Sequence, residues 1–135
     1  MKKITVIDGQ GGKMGKSIIE QLKRQFPQQE ILAIGTNNAA TAAMLKAGAD
    51  FGATGENPVI VAARDSDLII GPIGIVIADS LYGEVTPAMA VAVGQRHASQ
   101  LLMPVNRCNH QVVGCNHLSL NDIISLVIEE VRKFL

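Results

Sequence analysis

Apolar residues follow two different spacings along this chain. Residues 3–7 (KITVI) are a short β-rich run closed by Asp8-Gly9, the mark of a buried strand. Over 12–26, Met14, Ile18, Ile19, Leu22 and Phe26 recur at three- and four-residue steps, one face of a 3.6-residue period, and Pro27 ends that helix. Residues 30–35 (EILAIG) predict a second strand, 38–47 an alanine-rich helix stopped by Gly48, and 49–53 a short third strand. Asn57-Pro58 reads as an N-cap and a first-turn proline, so 59–64 predicts a short helix although Val59-Ile60-Val61 is β-branched. A fourth strand fits 67–71 (DLIIG), and one or two helical turns fit 75–81. Thr86-Pro87 opens a helix that runs to about residue 96. Residues 100–105 (QLLMPV) predict a fifth strand, in which Pro104 is unsuited to a central position, and 111–113 a short sixth. The chain closes with an amphipathic helix over 119–134, capped by Ser119 or Asn121, with Ile123, Ile124, Val127, Ile128 and Val131 as its buried stripe.

Strands that alternate with helices imply a parallel sheet covered on both faces. The fold class is therefore α/β, a Rossmann-like doubly wound and mostly parallel sheet of five to six strands. The length of 135 residues suits a single domain. In the usual strand order 3-2-1-4-5, strands one and four are neighbours and the chain reverses direction between them, which opens a ligand crevice.

Composition narrows the functional classes. Twelve basic and twelve acidic residues give a net charge of zero, against a nucleic-acid or acidic-membrane binder. Three Phe and one Tyr are too few for stacking platforms on single strands. The longest uncharged apolar run, residues 68–78, contains a proline and is too short to span a bilayer. The apolar run after Met1-Lys2-Lys3 is broken by Asp8, unlike a signal peptide, and two cysteines do not make a disulfide scaffold. These features predict a cytoplasmic protein. The 47% hydrophobic fraction favours self-association, as a homodimer.

The candidate chemistry lies in "DGQGGKMGKS", residues 8–17. Glycines that end a strand let the backbone approach a phosphate, and the next helix points its free N–H groups at the anion. Two registers overlap here. Gly15-Lys16-Ser17 is the tail of a P-loop, but the first position of that motif holds Gln10, and neither strand three nor strand four ends in an acid for magnesium. Gly9, Gly12 and Gly15 fill G-x-x-G-x-x-G directly after a strand, the context of a dinucleotide loop. A third reading is a tight turn with no ligand. The dinucleotide reading makes Gly9, Gln10, Gly11, Gly12, Lys13, Met14 and Gly15 the phosphate-binding residues. The acid that usually follows strand two for the ribose of NAD, or the arginine for NADP, is replaced by Gly35-Thr36-Asn37-Asn38. Thr36 and Asn37 are the candidate ribose or phosphate partners there, and favour neither cofactor.

The stretch "VIDGQGGKMGK" is similar to the amino-terminal loop of dihydrodipicolinate reductases, whose fingerprint G-x-G-G-x-M-G is matched by Gly9, Gly11, Gly12, Met14 and Gly15. That resemblance covers about fifteen residues and implies NAD or NADP as cofactor. Asp8 departs from it, because a carboxylate beside a pyrophosphate is repulsive unless neutralised. Over residues 4–130, "TNNAATAAMLKAGAD", "GATGEN", "DLIIGPIGI", "GEVTPAMA" and "PVNRCN" together resemble a family of small uncharacterised bacterial proteins, a domain of unknown function. This resemblance implies a compact Rossmann-like domain and no established activity.

A doubly wound sheet brings two further segments to the same rim: Gly71, Pro72, Ile73 and Gly74 after strand four, then Asn106 and Arg107 after strand five. The "GPIG" glycines admit either close ligand approach or a rigid turn. Arg107 is the best-placed cation for a phosphate or carboxylate. Glu84, ahead of the Thr86-Pro87 helix start, reads as a general acid or base, or as a charge that favours the helix end. Cys108, His110, Cys115 and His117 form a repeated Cys-Asn-His triplet. If the link between the triplets is extended, they stand on the order of 13 Å apart, too far for one ion within a chain. A zinc site shared across a dimer stays open, and no metal is assigned. The predicted activity is nucleotide or NAD(P)-type dinucleotide binding, with redox chemistry on a small anionic substrate. The alternative is a sensor or interaction module without cofactor.

Overall fold

The computed structural model describes residues 1–95, 98–105 and 110–135. Five strands alternate with helices: β1 Ile4–Asp8, α1 Lys13–Gln25, β2 Ile31–Gly35, α2 Asn38–Lys46, β3 Phe51–Thr54, α3 Glu56–Asp65, β4 Leu68–Pro72, α4 Pro87–Gly94, β5 Ser99–Met103 and α5 Leu120–Phe134. A single 3-10 turn, Ile73–Val76, follows β4. The sheet order is β3-β2-β1-β4-β5 and every pairing is parallel. The expected doubly wound, mostly parallel sheet is present, with every pairing among the described strands parallel.

Side-chain alternation along the strands builds two cores. Ile4 and Val6 of β1, Ile31 and Ala33 of β2, and Leu68 and Ile70 of β4 face one layer with α1, α2 and α5. Ile7, Ile34 and Ile69 face the other, with Val59 and Ala62 of α3 and Met89 and Val93 of α4. β1 is buried at all five positions, as a central parallel strand must be. Its neighbours are β2 and β4, so the crossovers diverge at the β1/β4 boundary and the crevice opens there.

Several predicted details shift. Residues 111–113 form no strand, and among the described residues the sheet has five. α3 starts earlier than Asn57-Pro58 suggests. Gly55, at φ 104, is its N-cap, Glu56 is the first helical residue, and Asn57 lies inside. β5 ends at Met103, so Pro104 follows the strand and the ladder loses no donor. α4 ends at Gly94, with Thr86 capping Met89 as its sequence implies. α5 is capped by Ser119, whose hydroxyl accepts from the Asp122 N–H while the Asp122 carboxylate accepts from the Ser119 N–H. Among the described residues no helix is long and apolar enough to cross a membrane.

Candidate functional site

The glycine turn leaves β1 and enters α1 across four residues. Gln10 at φ 50 and Gly12 at φ 72 turn the backbone through the left-handed region, and the Gly12 N–H donates to the Gly9 carbonyl at 2.9 Å. Gly12 is the N-cap of α1 and brings no side-chain cap. The first-turn N–H groups of such a helix point out of its end. A cavity of about 340 Å³ opens there, lined by Asp8 to Met14 and by Pro72, Leu81, Val105 and Leu120. Its volume is in the range of small-ligand sites.

The four glycines have different reasons to be glycine. A Cβ on Gly15 would stand 2.6 Å from the Met44 sulfur and 2.9 Å from the Asp8 Cβ, so this glycine lets α1 pack closely on α2 and β1. On Gly12 it would meet the Ala40 backbone at 2.9 Å. On Gly9 it would meet Thr36 Oγ1 at 2.5 Å, Leu81 Cδ1 at 2.7 Å and Glu84 Oε1 at 2.8 Å. On Gly11 it would meet nothing within 4 Å. Gly11 is therefore the one glycine of this loop beside open space, and it lines the cavity.

Two carboxylates reach into the turn. Asp8 is 5% exposed. Its Oδ1 accepts from the Gly9 N–H at 2.8 Å and its Oδ2 from the Gly15 N–H at 2.6 Å. The carboxylate thus sits on a donor of the α1 first turn and is stabilised by the positive helix end. Glu84 arrives from the segment between the 3-10 turn and α4. Its Oε1 accepts from the Gln10 N–H at 2.7 Å, the Thr36 hydroxyl at 2.6 Å and the Asn37 amide at 2.9 Å. Burial pushes the Glu84 carboxyl up, and these three donors outweigh it, so it lies below its ordinary value of 4.5.

Thr36 and Asn37, the residues expected to meet a ribose, are therefore engaged by Glu84, and neither lines the cavity. Asn37 also donates to the Gln10 carbonyl and caps α2 through the Ala40 N–H. Gly71 and Gly74 admit protein rather than open space: a Cβ there would meet the Ile7 carbonyl oxygen at 2.5 Å and Ser80 Oγ at 3.1 Å. Pro72 lines the main cavity, and Ile73 and Gly74 line a much smaller adjoining one of about 20 Å³. Lys16 and Ser17 lie inside α1, where the Lys16 N–H donates to the Gly12 carbonyl, so neither occupies the P-loop position at the helix end. Asn106, Arg107 and Cys108 fall outside the described residues. Among those described, no group of three or more His, Cys, Asp and Glu side chains gathers as metal ligands.

Sequence reasoning did not foresee Leu81 or the contact of Glu84 with the turn. Gln10 and Glu84 are 74 positions apart, and only the tertiary fold brings them together.

Fold and crevice together define a doubly wound α/β protein with a glycine-rich turn at its topological switch point. Residues 3–135 match the family described as Domain of unknown function (DUF3842), and the chain belongs to that family. No curated protein matches it. Among solved structures it is similar to a dodecameric FMN-dependent UbiX-like decarboxylase from Escherichia coli O157:H7, with TM-score 0.52, 16% identity, and 96% of this chain and 93% of that one covered. It is also similar to the D-arabinose dehydrogenase from Sulfolobus solfataricus, with TM-score 0.46 and 14% identity over 96% of this chain, which spans 44% of that one. At this identity the first likeness shows the shared α/β fold.

Proposed function

We propose that the chain binds a nucleotide cofactor by its phosphate at the glycine turn, and that the cofactor is a mononucleotide of the FMN type rather than NAD or NADP. The observation that carries this is the cavity of about 340 Å³ at the end of α1, bounded by the turn and by Pro72, with open space above Gly11. The N–H groups of Gly11, Lys13 and Met14 are the phosphate donors in this reading, and Leu81, Val105 and Leu120 form the apolar wall for the rest of the ligand. NAD and NADP fit less well, because the adenosine half would extend past the end of β2, and Glu84 covers that end. The FMN dependence of the UbiX-like decarboxylase supports the choice at the level of fold alone.

Titration calorimetry with FMN, FAD, NAD, NADP and ATP tests the proposal. FMN is expected to bind and the dinucleotides to bind weakly or not at all. A second reading, a turn with no cofactor, is favoured by the Asp8 carboxylate on the α1 first turn. Silence across the panel would decide for it.

Self-association belongs to the same proposal. A second cavity of about 500 Å³ lies beside β1 to β3 and α3, lined by the apolar Leu32, Phe51, Ala53, Pro58 and Val61 together with charged Lys2, Lys3, Glu30 and Asp65, and Phe51 is 56% exposed. An apolar patch of this kind suits a homo-oligomer interface. Sedimentation velocity is expected to give a dimer or larger species, and a monomer at all concentrations would refute it.

A further inference from the structure

The segment between the 3-10 turn and α4 is a tight strap laid over the glycine turn. Asp79, Leu81 and Tyr82 have φ of 65°, 55° and 56°, and Gly83 follows at 85°. Two bulky side chains in succession in the left-handed region are unfavourable, and persist only where surrounding contacts impose them. Those contacts are present. The Asp79 N–H donates to the Val85 carbonyl at 2.7 Å, Ser80 Oγ donates to the Gly74 carbonyl, and Ser80, Leu81 and Val85 are buried. Tyr82 stands at the tip, 90% exposed. The strap therefore holds Glu84 at a fixed place directly above Gly9.

That place has the chemistry of an anion subsite. A backbone N–H, a hydroxyl and an amide from the ends of β1 and β2 converge on the single oxygen Oε1. Three donors on one anionic oxygen are what a phosphate oxygen would receive. We propose that Glu84 is a built-in occupant of a second anion subsite of the glycine turn, formed by Gln10, Thr36 and Asn37, and that it limits the protein to ligands with a single phosphate. This inference rests on the nucleotide-binding reading and extends it to ligand class. While Glu84 is in place, a pyrophosphate meets a like charge and no free donors there. Its removal leaves three donors facing vacated space, and a second phosphoryl group fits them.

Calorimetric titration of wild type, Glu84→Ala and Glu84→Gln with inorganic pyrophosphate, NAD and FMN tests it. For Glu84→Ala, pyrophosphate and NAD are expected to bind about 10- to 100-fold more tightly than to wild type, the worth of one hydrogen bond to a charged group. FMN affinity is expected to stay within about threefold, since its phosphate uses the α1 end. Glu84→Gln keeps the shape of the side chain and preserves the fold. It is expected to improve pyrophosphate binding by a smaller factor through loss of the negative charge. The subsite is refuted if neither variant binds pyrophosphate more tightly than wild type, or if wild type binds NAD as tightly as Glu84→Ala does. The two proposals separate cleanly. Gain of pyrophosphate binding with no FMN binding in any form upholds the subsite and overturns the FMN reading. FMN binding with no gain does the reverse.

Discussion

Replacing Gly9 by alanine separates a glycine kept for packing from one kept for a ligand. The added Cβ would sit 2.5 Å from Thr36 Oγ1, 2.7 Å from Leu81 Cδ1 and 2.8 Å from Glu84 Oε1, three contacts from two segments, the end of β2 and the strap before α4. The backbone of Gly9 lies outside the left-handed region, so the strain is steric and not a matter of φ. Overpacking of this kind costs about 1–3 kcal/mol. Pushing Glu84 off its donors adds part of about 1.5–3 kcal/mol for a hydrogen bond to a charged group. A smaller unfolded-state gain of about 0.4–1 kcal/mol offsets it. The net expectation is a loss of about 2–4 kcal/mol, or about 6–12 °C in Tm at roughly 3 °C per kcal/mol for a chain of this size. Urea denaturation followed by circular dichroism measures it, with Gly11→Ala as the control, expected within about 0.5 kcal/mol of wild type. If Gly9→Ala is as stable as wild type, Glu84 and Leu81 do not rest on the turn as described.

The remaining predictions concern the same contacts and the frame that holds them. Because the Glu84 carboxyl is held below its ordinary value of 4.5, its stabilisation is complete above that value and is lost as pH falls through the lower folded value. Wild type should therefore lose stability relative to Glu84→Gln as pH falls below about 4.5, and parallel acid melts for the two proteins would refute this. Gly12→Glu is expected to destabilise the fold through its φ of 72 and its 2.9 Å approach to the Ala40 backbone, so a ligand lost with it says nothing about binding. Ser119→Ala should cost about 1 kcal/mol by opening the capping box of α5, read from the denaturation midpoint.

Periodicity made the frame legible. Ile18, Ile19 and Leu22 of α1 and Ile123, Val127 and Val131 of α5 are buried as their spacing requires, and the β1 run lies at the centre of the sheet. Boundaries failed where backbone conformation decided them. Gly55 caps α3 through its own left-handed φ, which no neighbouring residue type signals as strongly as Asn57-Pro58 appeared to signal a cap two positions later. Val112 and Val113 are β-branched but form no ladder, and composition alone carries no information on pairing. The glycine turn was legible as a turn. The work of its glycines was not, because Gly9, Gly12 and Gly15 face Thr36, Ala40 and Met44 across the tertiary structure. Asp8 read as a repulsive neighbour for phosphate, and it is an acceptor for the Gly9 and Gly15 N–H groups. Glu84 read as a general acid or base or as a helix-end charge, and it accepts from Gln10, Thr36 and Asn37 at the ends of β1 and β2.

The most direct test of nucleotide binding at the turn is calorimetric titration of FMN into wild type and Gly11→Glu. Gly11 has open space beside it and lines the cavity, so the variant should melt within about 2 °C of wild type, as a surface substitution does. Nucleotide binding at the turn predicts saturable FMN binding to wild type and at least a tenfold loss in the variant. Equal FMN affinity in the two proteins, or no binding to wild type, would contradict it.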